Sequence, residues 1–343
     1  MGFDVITFGA AVRDIFLFVD SADAMVLDNP KGEMTRKKLI AFEYGAKINA
    51  VRSVHTLGGG ALNSAVTFSR MGFTSASAVS LGDDDDATAV EHRLKDEKVS
   101  TSLVMRNMKE KTGFSVLTVA GDAHDHVAIV ERGANESYQY QPKRSITSAS
   151  WFYTTSFSGP HWKKAIDAIS KTAHERNIKW AWNPGSAQLE KGLTGLSAYL
   201  KRCTVLLLNR DEALGLVSAN GKKKVKDKPT YLLDALLAHG SDIVLITDGK
   251  QGVYCADATQ KIFMSADKSI KARESTGAGD SFGSGFVSGL MMGTMTDMGF
   301  ALDVGMTNAE SVICKVGAQE GILKRSDILS LKRTPKHTIK KVR

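Results

Sequence analysis

The 343-residue sequence contains only three cysteines, Cys203, Cys255 and Cys314, and they lie far apart. Their spacing fits no metal-binding motif and an odd number cannot pair completely, which argues against a disulfide scaffold. No run of about 18 apolar residues occurs, so we expect no membrane-spanning helix. The N-terminus also lacks the basic region and long apolar core of a secretory signal peptide. Together these absences predict a protein of the reducing cytoplasm.

Two common nucleotide-binding motifs are missing as well. There is no G-x-x-x-x-G-K-[ST] element, which argues against a P-loop protein. The stretch FGAAVRD at residues 8–14 lacks G-x-G-x-x-G, so a dinucleotide-binding fold is not indicated. GDSFG at residues 279–283 does fit the G-x-S-x-G motif of hydrolases. In hydrolases with this motif the catalytic histidine follows the serine in the chain. Here the one histidine after Ser281 is His337, in a basic tail, so a hydrolase is disfavoured.

Positive charge is in excess, with a formal net charge of +8, but the excess is local. Residues 332–343 hold six Lys or Arg and no acid, and a second cluster spans residues 222–228. Neither cluster contains an aromatic side chain on which a base could stack, so a nucleic-acid partner is not favoured. We therefore expect a single domain over residues 1–331, followed by a solvated basic C-terminal tail at 332–343.

Apolar, β-branched runs alternate with helical patterns along most of the chain. The runs cover residues 4–10, 75–82, 150–157, 178–184, 204–209 and 242–249, and the helical patterns cover 63–71, 88–97, 162–176 and 231–239. Strands alternating with helices of this length are typical of βαβ units, and runs apolar on both faces are typical of buried parallel strands. The sequence thus predicts an α/β body with a largely parallel sheet.

Two segments have a different pattern. Residues 11–57 alternate with period two, and residues 111–131 resemble a hairpin around the sequence AGDAHD. An insertion of this length without helices is long for a loop. We expect these segments to form a small antiparallel sheet beside the body, placed to act as a lid.

A glycine-rich turn carries the strongest chemical signal. In ESTGAGDSFGSGF, residues 274–286, Gly277 and Gly279 let backbone N–H groups converge without obstruction by a Cβ. A helix beginning near Asp280 would add its dipole, giving a site for a phosphate or a developing oxyanion. Asp280 could then accept a proton from an incoming hydroxyl. The alternative for this stretch alone is that Asp280 only caps the helix.

Three other stretches offer polar groups where open α/β sheets bind ligands. Asp14 follows the first strand, and GGGALNSAVTFSRMG at residues 58–72 is a glycine turn that opens a helix bearing Asn63. NRDE at residues 209–212 closes an apolar strand and supplies Asn209 and Glu212, which could hold water around a divalent ion and phosphates.

With these motifs in order, the chain resembles the ribokinase-like (PfkB) carbohydrate kinases over about residues 3–325. The two signatures are similar to GGGALNSAVTFSRMG and STGAGDSFGSGF, and between and after them RGAN (132–135), NRDE, TDGKQG (247–252) and TNAESVICKVGA (307–318) follow in the family's order. The resemblance implies a Rossmann-like, three-layer α/β/α body with a β-sheet lid. It also implies transfer of the ATP γ-phosphate to an alcohol of a sugar or nucleoside, with magnesium.

The resemblance assigns roles position by position. It implies that Asp280 is the catalytic base, that Gly277, Ala278 and Gly279 form the anion hole, and that Asp14, Gly58, Gly59 and Asn63 bind substrate. It implies further that Asn209, Glu212, Thr247, Gly249, Gly252 and Asn308 form the nucleotide site, with Glu212 holding magnesium through water. A homodimer through the lid is also implied.

The sequence departs from the family pattern at three places. Ser275 stands where an acid that helps bind a monovalent cation is usual, so potassium activation is in doubt. Gly60 replaces a lysine, and Val12 replaces an asparagine, of ribokinases. The acceptor is therefore open among ribose, fructose, a hexose phosphate and adenosine. The competing function is a catalytically silent sugar-binding sensor on the same fold, against which the presence of Asp280, Asn209 and Glu212 argues.

Overall fold

A computed structural model describes residues 2–20, 22–30, 38–120, 126–142, 144–219, 221, 224–332 and 335–342. The strands are β1 Val5–Phe8, β2 Val12–Val19, β3 Met25–Asp28, β4 Lys38–Ala41, β5 Ala50–Gly58, β6 Ser75–Ala78, β7 Ser80–Leu81, β8 Met105–Arg106, β9 Gly113–Ala120, β10 Val127–Glu131, β11 Trp151–Thr154, β12 Lys179–Trp182, β13 Val205–Asn209, β14 Ile243–Thr247, β15 Gly252–Ala256, β16 Lys261–Ser265 and β17 Ile339–Lys341. The helices are α1 Gly60–Arg70, α2 Asp85–Asp96, α3 Arg144–Thr147, α4 Trp162–Glu175, α5 Ser186–Leu189, α6 Gly192–Leu200, α7 Arg210–Val217, α8 Pro229–Leu237, α9 Ala278–Met292, α10 Met298–Ile313 and α11 Arg325–Ile328, with 3-10 turns at Gly133–Ser137, Gly249–Gln251 and Leu329–Lys332.

Within the described residues the main sheet has the strand order β17-β16-β15-β14-β13-β12-β11-β1-β6. The pairs from β6 to β14 are parallel, as the alternation of strands and helices predicts. The pairs among β14, β15, β16 and β17 are antiparallel, which the sequence pattern did not indicate. The C-terminal ends of the parallel strands thus lie on one side of the sheet, where Asn209 ends β13 and Thr247 ends β14.

The core is divided between the two faces of this sheet, because alternate strand residues point to opposite sides. Leu206 and Leu208 of β13 pack with α4, α6, α7 and α8 on one face. Val205 and Leu207 pack with α9 and α10 on the other. Burying each such leucine contributes roughly 1.5–3 kcal/mol. The predicted three-layer arrangement of helices, sheet and helices is confirmed.

The lid is a separate sheet with the order β10-β9-β2-β5. It joins strands from the period-two segment and from the predicted hairpin, so the expectation of a small sheet beside the body is confirmed. The expectation of a purely antiparallel sheet is wrong in one pairing, since β2 and β9 run parallel. The predicted turn of the AGDAHD hairpin falls on residues 121–125, which lie outside the described residues.

The C-terminal segment is attached to the body at two points, although most of its side chains are exposed. β17 adds to the edge of the sheet beside β16. The side chain of His337 is buried between Asp303 and Glu310 of α10. The expectation of a solvated tail is therefore wrong for His337, because two acids of α10 provide it with buried partners, and for the backbone of β17, which pairs with β16. Across the described part of the chain, no helix has the length and apolarity needed to span a membrane.

Candidate active site

The glycine turn before α9 is held in a conformation that only glycine adopts readily. Gly277 precedes the helix with φ of 77°, and a Cβ added there would lie 2.5 Å from the Cβ of Ala318. A Cβ added at Gly279 would instead meet open space. The helix begins at Ala278, close to the predicted start near Asp280. The N–H of Ala278 donates to the carbonyl oxygen of Ser275 at 3.2 Å, and the positive dipole end of the helix beside the open space at Gly279 favours an anion.

Asp280 lies in the first turn of this helix and reaches across to α1. Its Oδ2 accepts a hydrogen bond from Asn63 Nδ2 at 2.8 Å. Burial raises the pKa of Asp280, and the Asn63 hydrogen bond lowers it. A hydrogen bond to a charged group is worth about 1.5–3 kcal/mol, so Asn63 favours the ionised carboxylate. An ionised carboxylate beside an anion site can act as a base.

Asp14, on the lid strand β2, is drawn into the same site. A Cβ at Gly58 would overlap the Asp14 carboxylate, so glycine is required for this approach. Ser115 donates its hydroxyl to Asp14 Oδ1. Burial raises the pKa of Asp14 to about 6, with the Ser115 bond opposing and the charges of Glu274 and Asp280 adding. The structure thus brings together four predicted site residues, Asp14, Gly58, Asn63 and Asp280.

The glycine turn before α1 is equally constrained. Gly59 is the residue before the helix, with φ of 99°, and a Cβ there would lie 2.5 Å from the carbonyl oxygen of Ala10. A Cβ at Gly60 would approach Thr155 to within 2.7 Å. The departure from the family's lysine at Gly60 is thus matched by Thr155, which occupies the space that a side chain would need.

Sequence reasoning missed Glu274, which is buried just before the glycine turn. Its Oε1 accepts the N–H of Thr276 at 2.5 Å and lies 3.4 Å from His126 Nδ1 of the lid. Its Oε2 is buried and has no hydrogen-bond partner among the described residues. The departure at Ser275 therefore does not remove a carboxylate from this loop. Glu274 is the first residue of the stretch ESTGAGDSFGSGF, but its burial cannot be predicted from that stretch.

Asn209, Glu212 and Thr247 form a second group. Asn209 and Thr247 are register partners on β13 and β14. Asn209 Oδ1 accepts the N–H of Glu212 at 2.8 Å, and Glu212 Oε2 accepts the N–H of Asn209 at 2.9 Å. The two side chains thus cap the start of α7. Burial raises the pKa of Glu212, while its bond from Asn209 N–H lowers it.

The other three residues predicted to bind the nucleotide, Gly249, Gly252 and Asn308, differ in how much space surrounds them. Gly249 has φ of 52° and faces open space, whereas a Cβ at Gly252 would overlap the carbonyl oxygen of Met264. Asn308 is fully buried: its Nδ2 donates to Ser281 O at 2.9 Å and its Oδ1 accepts Leu323 N–H at 2.9 Å. Asn308 therefore fixes α9 against α10, and its contact with a nucleotide stays a prediction.

The chain is similar to known carbohydrate kinases. The model of the pfkB family carbohydrate kinases matches residues 31–325. A ribokinase of Staphylococcus aureus is 27% identical over 270 residues, which cover 77% of this chain and 84% of the ribokinase.

Two solved structures share the fold. A ribokinase from Cryptococcus neoformans in complex with ADP matches with a TM-score of 0.75 at 20% identity, covering 96% of this chain and 99% of the ribokinase. A nucleoside kinase from Methanocaldococcus jannaschii matches with a TM-score of 0.75 at 20% identity, covering 97% and 100%.

These neighbours show that the chain has the ribokinase-like fold. The chain belongs to the pfkB family of carbohydrate kinases, because the family model covers most of its length.

Proposed function

We propose that the protein transfers the γ-phosphate of ATP to a hydroxyl of a sugar or nucleoside, with Asp280 as the base. The observation that carries this proposal is the Asp280 carboxylate at the amino end of α9, held by Asn63. Asp280 takes the proton of the acceptor hydroxyl as the hydroxyl oxygen attacks the γ-phosphorus of ATP. The bond between the γ-phosphorus and the oxygen that bridges the β- and γ-phosphates breaks. ADP leaves with the electron pair of that bond.

In this proposal the turn at Gly277, Ala278 and Gly279 is the anion hole. The N–H groups of Gly277 and Gly279 and the dipole of α9 stabilise the charge on the transferring phosphoryl group, while the N–H of Ala278 donates to Ser275 O and holds the turn. The open space beside Gly279 and the constrained backbone of Gly277 support this role. Phosphoryl transfer requires little more from the protein than such positioning and charge stabilisation.

Asp14, Gly58, Gly59 and Asn63 are proposed to bind the acceptor. Carboxylate and amide groups together offer both donors and acceptors to vicinal hydroxyls. Asp14 and Glu274 are buried here, and the charges of Glu274 and Asp280 both raise the pKa of Asp14. Burial is the main cause of the raised pKa of both Asp14 and Asp280. A second negative group would be repelled in this setting, so we propose an uncharged acceptor over a hexose phosphate.

Asn209, Glu212, Thr247, Gly249, Gly252 and Asn308 are proposed to form the nucleotide site. Mg²⁺ keeps several waters and is usually bound through one or two carboxylates plus substrate phosphates. The Glu212 carboxylate, half-buried at the edge of the sheet, fits such a role. Bound Mg²⁺ would neutralise charge on the phosphates, and Glu212 would hold one of its waters.

A homodimer through the lid is proposed on the evidence of its exposed face. Val127 and Ile129 of β10 share one face of the lid sheet and are both exposed, and Val130, on the opposite face, is exposed as well. A small sheet with one apolar face in water is unstable, and a second copy of the same face would cover it.

The experiment is a screen for ADP release with Mg²⁺ and ATP over matched pairs: ribose and ribose 5-phosphate, fructose and fructose 6-phosphate, adenosine and AMP. We expect turnover with an uncharged member and at least about tenfold lower kcat/KM for its phosphorylated partner. Preference for a phosphorylated member would refute the uncharged acceptor and keep the kinase. Acceptor binding without any ADP release would favour the silent sensor.

A further inference from the structure

A chain of hydrogen bonds connects Asp280 to a residue outside all the predicted motifs. Asn63 Nδ2 donates to Asp280 Oδ2 at 2.8 Å, and Gln319 Nε2 donates to Asn63 Oδ1 at 3.0 Å. Arg93 Nε in turn donates to Gln319 Oε1 at 2.9 Å. The four side chains come from α9, α1, the segment after α10, and α2, and they form one continuous relay.

The two ends of the relay determine its direction. An arginine can only donate hydrogen bonds, and an ionised aspartate can only accept them. The amides of Gln319 and Asn63 each have one accepting and one donating end, so with both termini fixed each has one allowed orientation. Without Gln319, the amide of Asn63 could turn and present its oxygen to the Asp280 carboxylate, which would be repulsive.

The position of Gln319 is itself well fixed. Its side chain is buried. Arg70 Nη1 donates to the backbone carbonyl oxygen of Gln319 at 3.0 Å and to the backbone carbonyl oxygen of Ile322 at 2.9 Å. Arg70 is in turn paired with Glu97 at 2.6 Å. A buried amide with both ends bonded and its backbone held has little freedom to reorient, which is what orientation of a partner requires.

We propose that Gln319 is a positioning residue for phosphoryl transfer: it fixes the amide of Asn63 so that Asn63 donates to Asp280 Oδ2, leaving Oδ1 to accept the proton of the acceptor. This inference rests on the proposed role of Asp280 as base. Gln319 itself contacts neither acceptor nor phosphate in this proposal and acts through Asn63.

The test compares two substitutions of Gln319. Gln319→Glu has nearly the same shape and can still accept from Arg93, but when ionised it cannot donate to Asn63. Gln319→Leu removes both bonds. We expect each to lower kcat at least about tenfold with the KM for ATP unchanged, and to move the acid limb of the kcat–pH profile to higher pH, because Asp280 loses an oriented donor.

Gln141→Glu, the same substitution at an exposed position, serves as the control, and we expect it to keep the wild-type kcat and pH profile. Thermal unfolding of each variant checks the fold. If Gln319→Glu has wild-type kcat and an unmoved acid limb, the inference is wrong, because a residue that only packs would tolerate this isostere. Asp280→Asn separates the two levels: if it is inactive while Gln319→Glu is normal, only the inference fails, whereas an active Asp280→Asn removes the proposed base.

Discussion

Asn63 donates a hydrogen bond from its side-chain Nδ2 to Oδ2 of Asp280 over 2.8 Å, joining the two glycine-turn helices of the site. This bond opposes burial, which raises the pKa of the Asp280 carboxyl. A protonated Asp280 cannot accept a proton, so we expect kcat to fall as the pH drops through this raised pKa. Removing the donor in Asn63→Ala should raise the pKa further and move the acid limb of kcat to higher pH.

The measurement is kcat against pH at saturating ATP and acceptor. Saturation matters because kcat reports ionisations in the substrate complex, whereas kcat/KM also reports those of the free enzyme, including Asp14 with its pKa of about 6. An acid limb that stays in place in Asn63→Ala would show that Asn63 does not tune the base.

Glu212 should affect the magnesium requirement more than the stability of the protein. In Glu212→Gln the side-chain oxygen can still accept the N–H of Asn209, so the cap of α7 is kept while the charge is lost. We expect a higher Mg²⁺ concentration for half-maximal activity and a lower kcat. Glu175→Gln, at an exposed position of α4, is the matched control. An unchanged Mg²⁺ titration in Glu212→Gln would mean that Glu212 is only a helix cap.

The C-terminal segment should make stability depend on pH. Burial lowers the pKa of His337. Its contacts with Asp303 at 2.5 Å and Glu310 at 2.9 Å, together with the charges of these two acids, outweigh burial and raise the pKa of His337 to about 9. A raised histidine pKa contributes stability that is fully present below the unfolded pKa near 6.5 and is lost as the pH rises through about 9. The contribution is at most about 3 kcal/mol.

We therefore expect the free energy of unfolding to fall between about pH 6.5 and 9 in the wild type, and to fall less in His337→Gln. Chemical denaturation at several pH values measures this. His174→Gln, near the end of α4, is the control. A pH dependence identical in wild type and His337→Gln would contradict the buried cluster. Deleting residues 335–343 should lower thermal stability, since it also removes β17.

The exposed lid face should support self-association. Ile129→Asp places a charge on β10, and we expect it to convert a dimer into a monomer in sedimentation velocity. Leu329→Asp, exposed on another part of the molecule, should leave the mass unchanged. A monomeric wild type would refute the dimer. Hydrogen exchange with and without acceptor tests the lid separately, because closure over a substrate should increase protection of β2, β5 and β9.

The features that could be predicted from sequence are those with a local cause. Gly59 and Gly277 have backbone angles that favour glycine. Asp280 lies three residues after Gly277, in the same motif. Gln319 and Glu274 could not be recognised, because what distinguishes them is long-range contact and burial, which no local motif encodes. Gln319 meets Asn63 across 256 positions of sequence.

The prediction for the C-terminal segment was wrong at His337 for the same reason. A basic stretch with one histidine has the composition of a solvated tail, and only the fold reveals Asp303 and Glu310 opposite His337. The antiparallel pairing of β15 and β16 was also not predicted, since strand direction within a sheet depends on how the chain crosses over.

The most direct test of the central claim is turnover by Asp280→Asn with the best acceptor of the screen, ATP and Mg²⁺. The substitution keeps the size of the side chain and removes its capacity to take a proton. We predict that kcat falls at least about 100-fold while ATP affinity, measured by calorimetry, is unchanged. Turnover near that of the wild type would contradict the assignment of Asp280 as the base of a kinase.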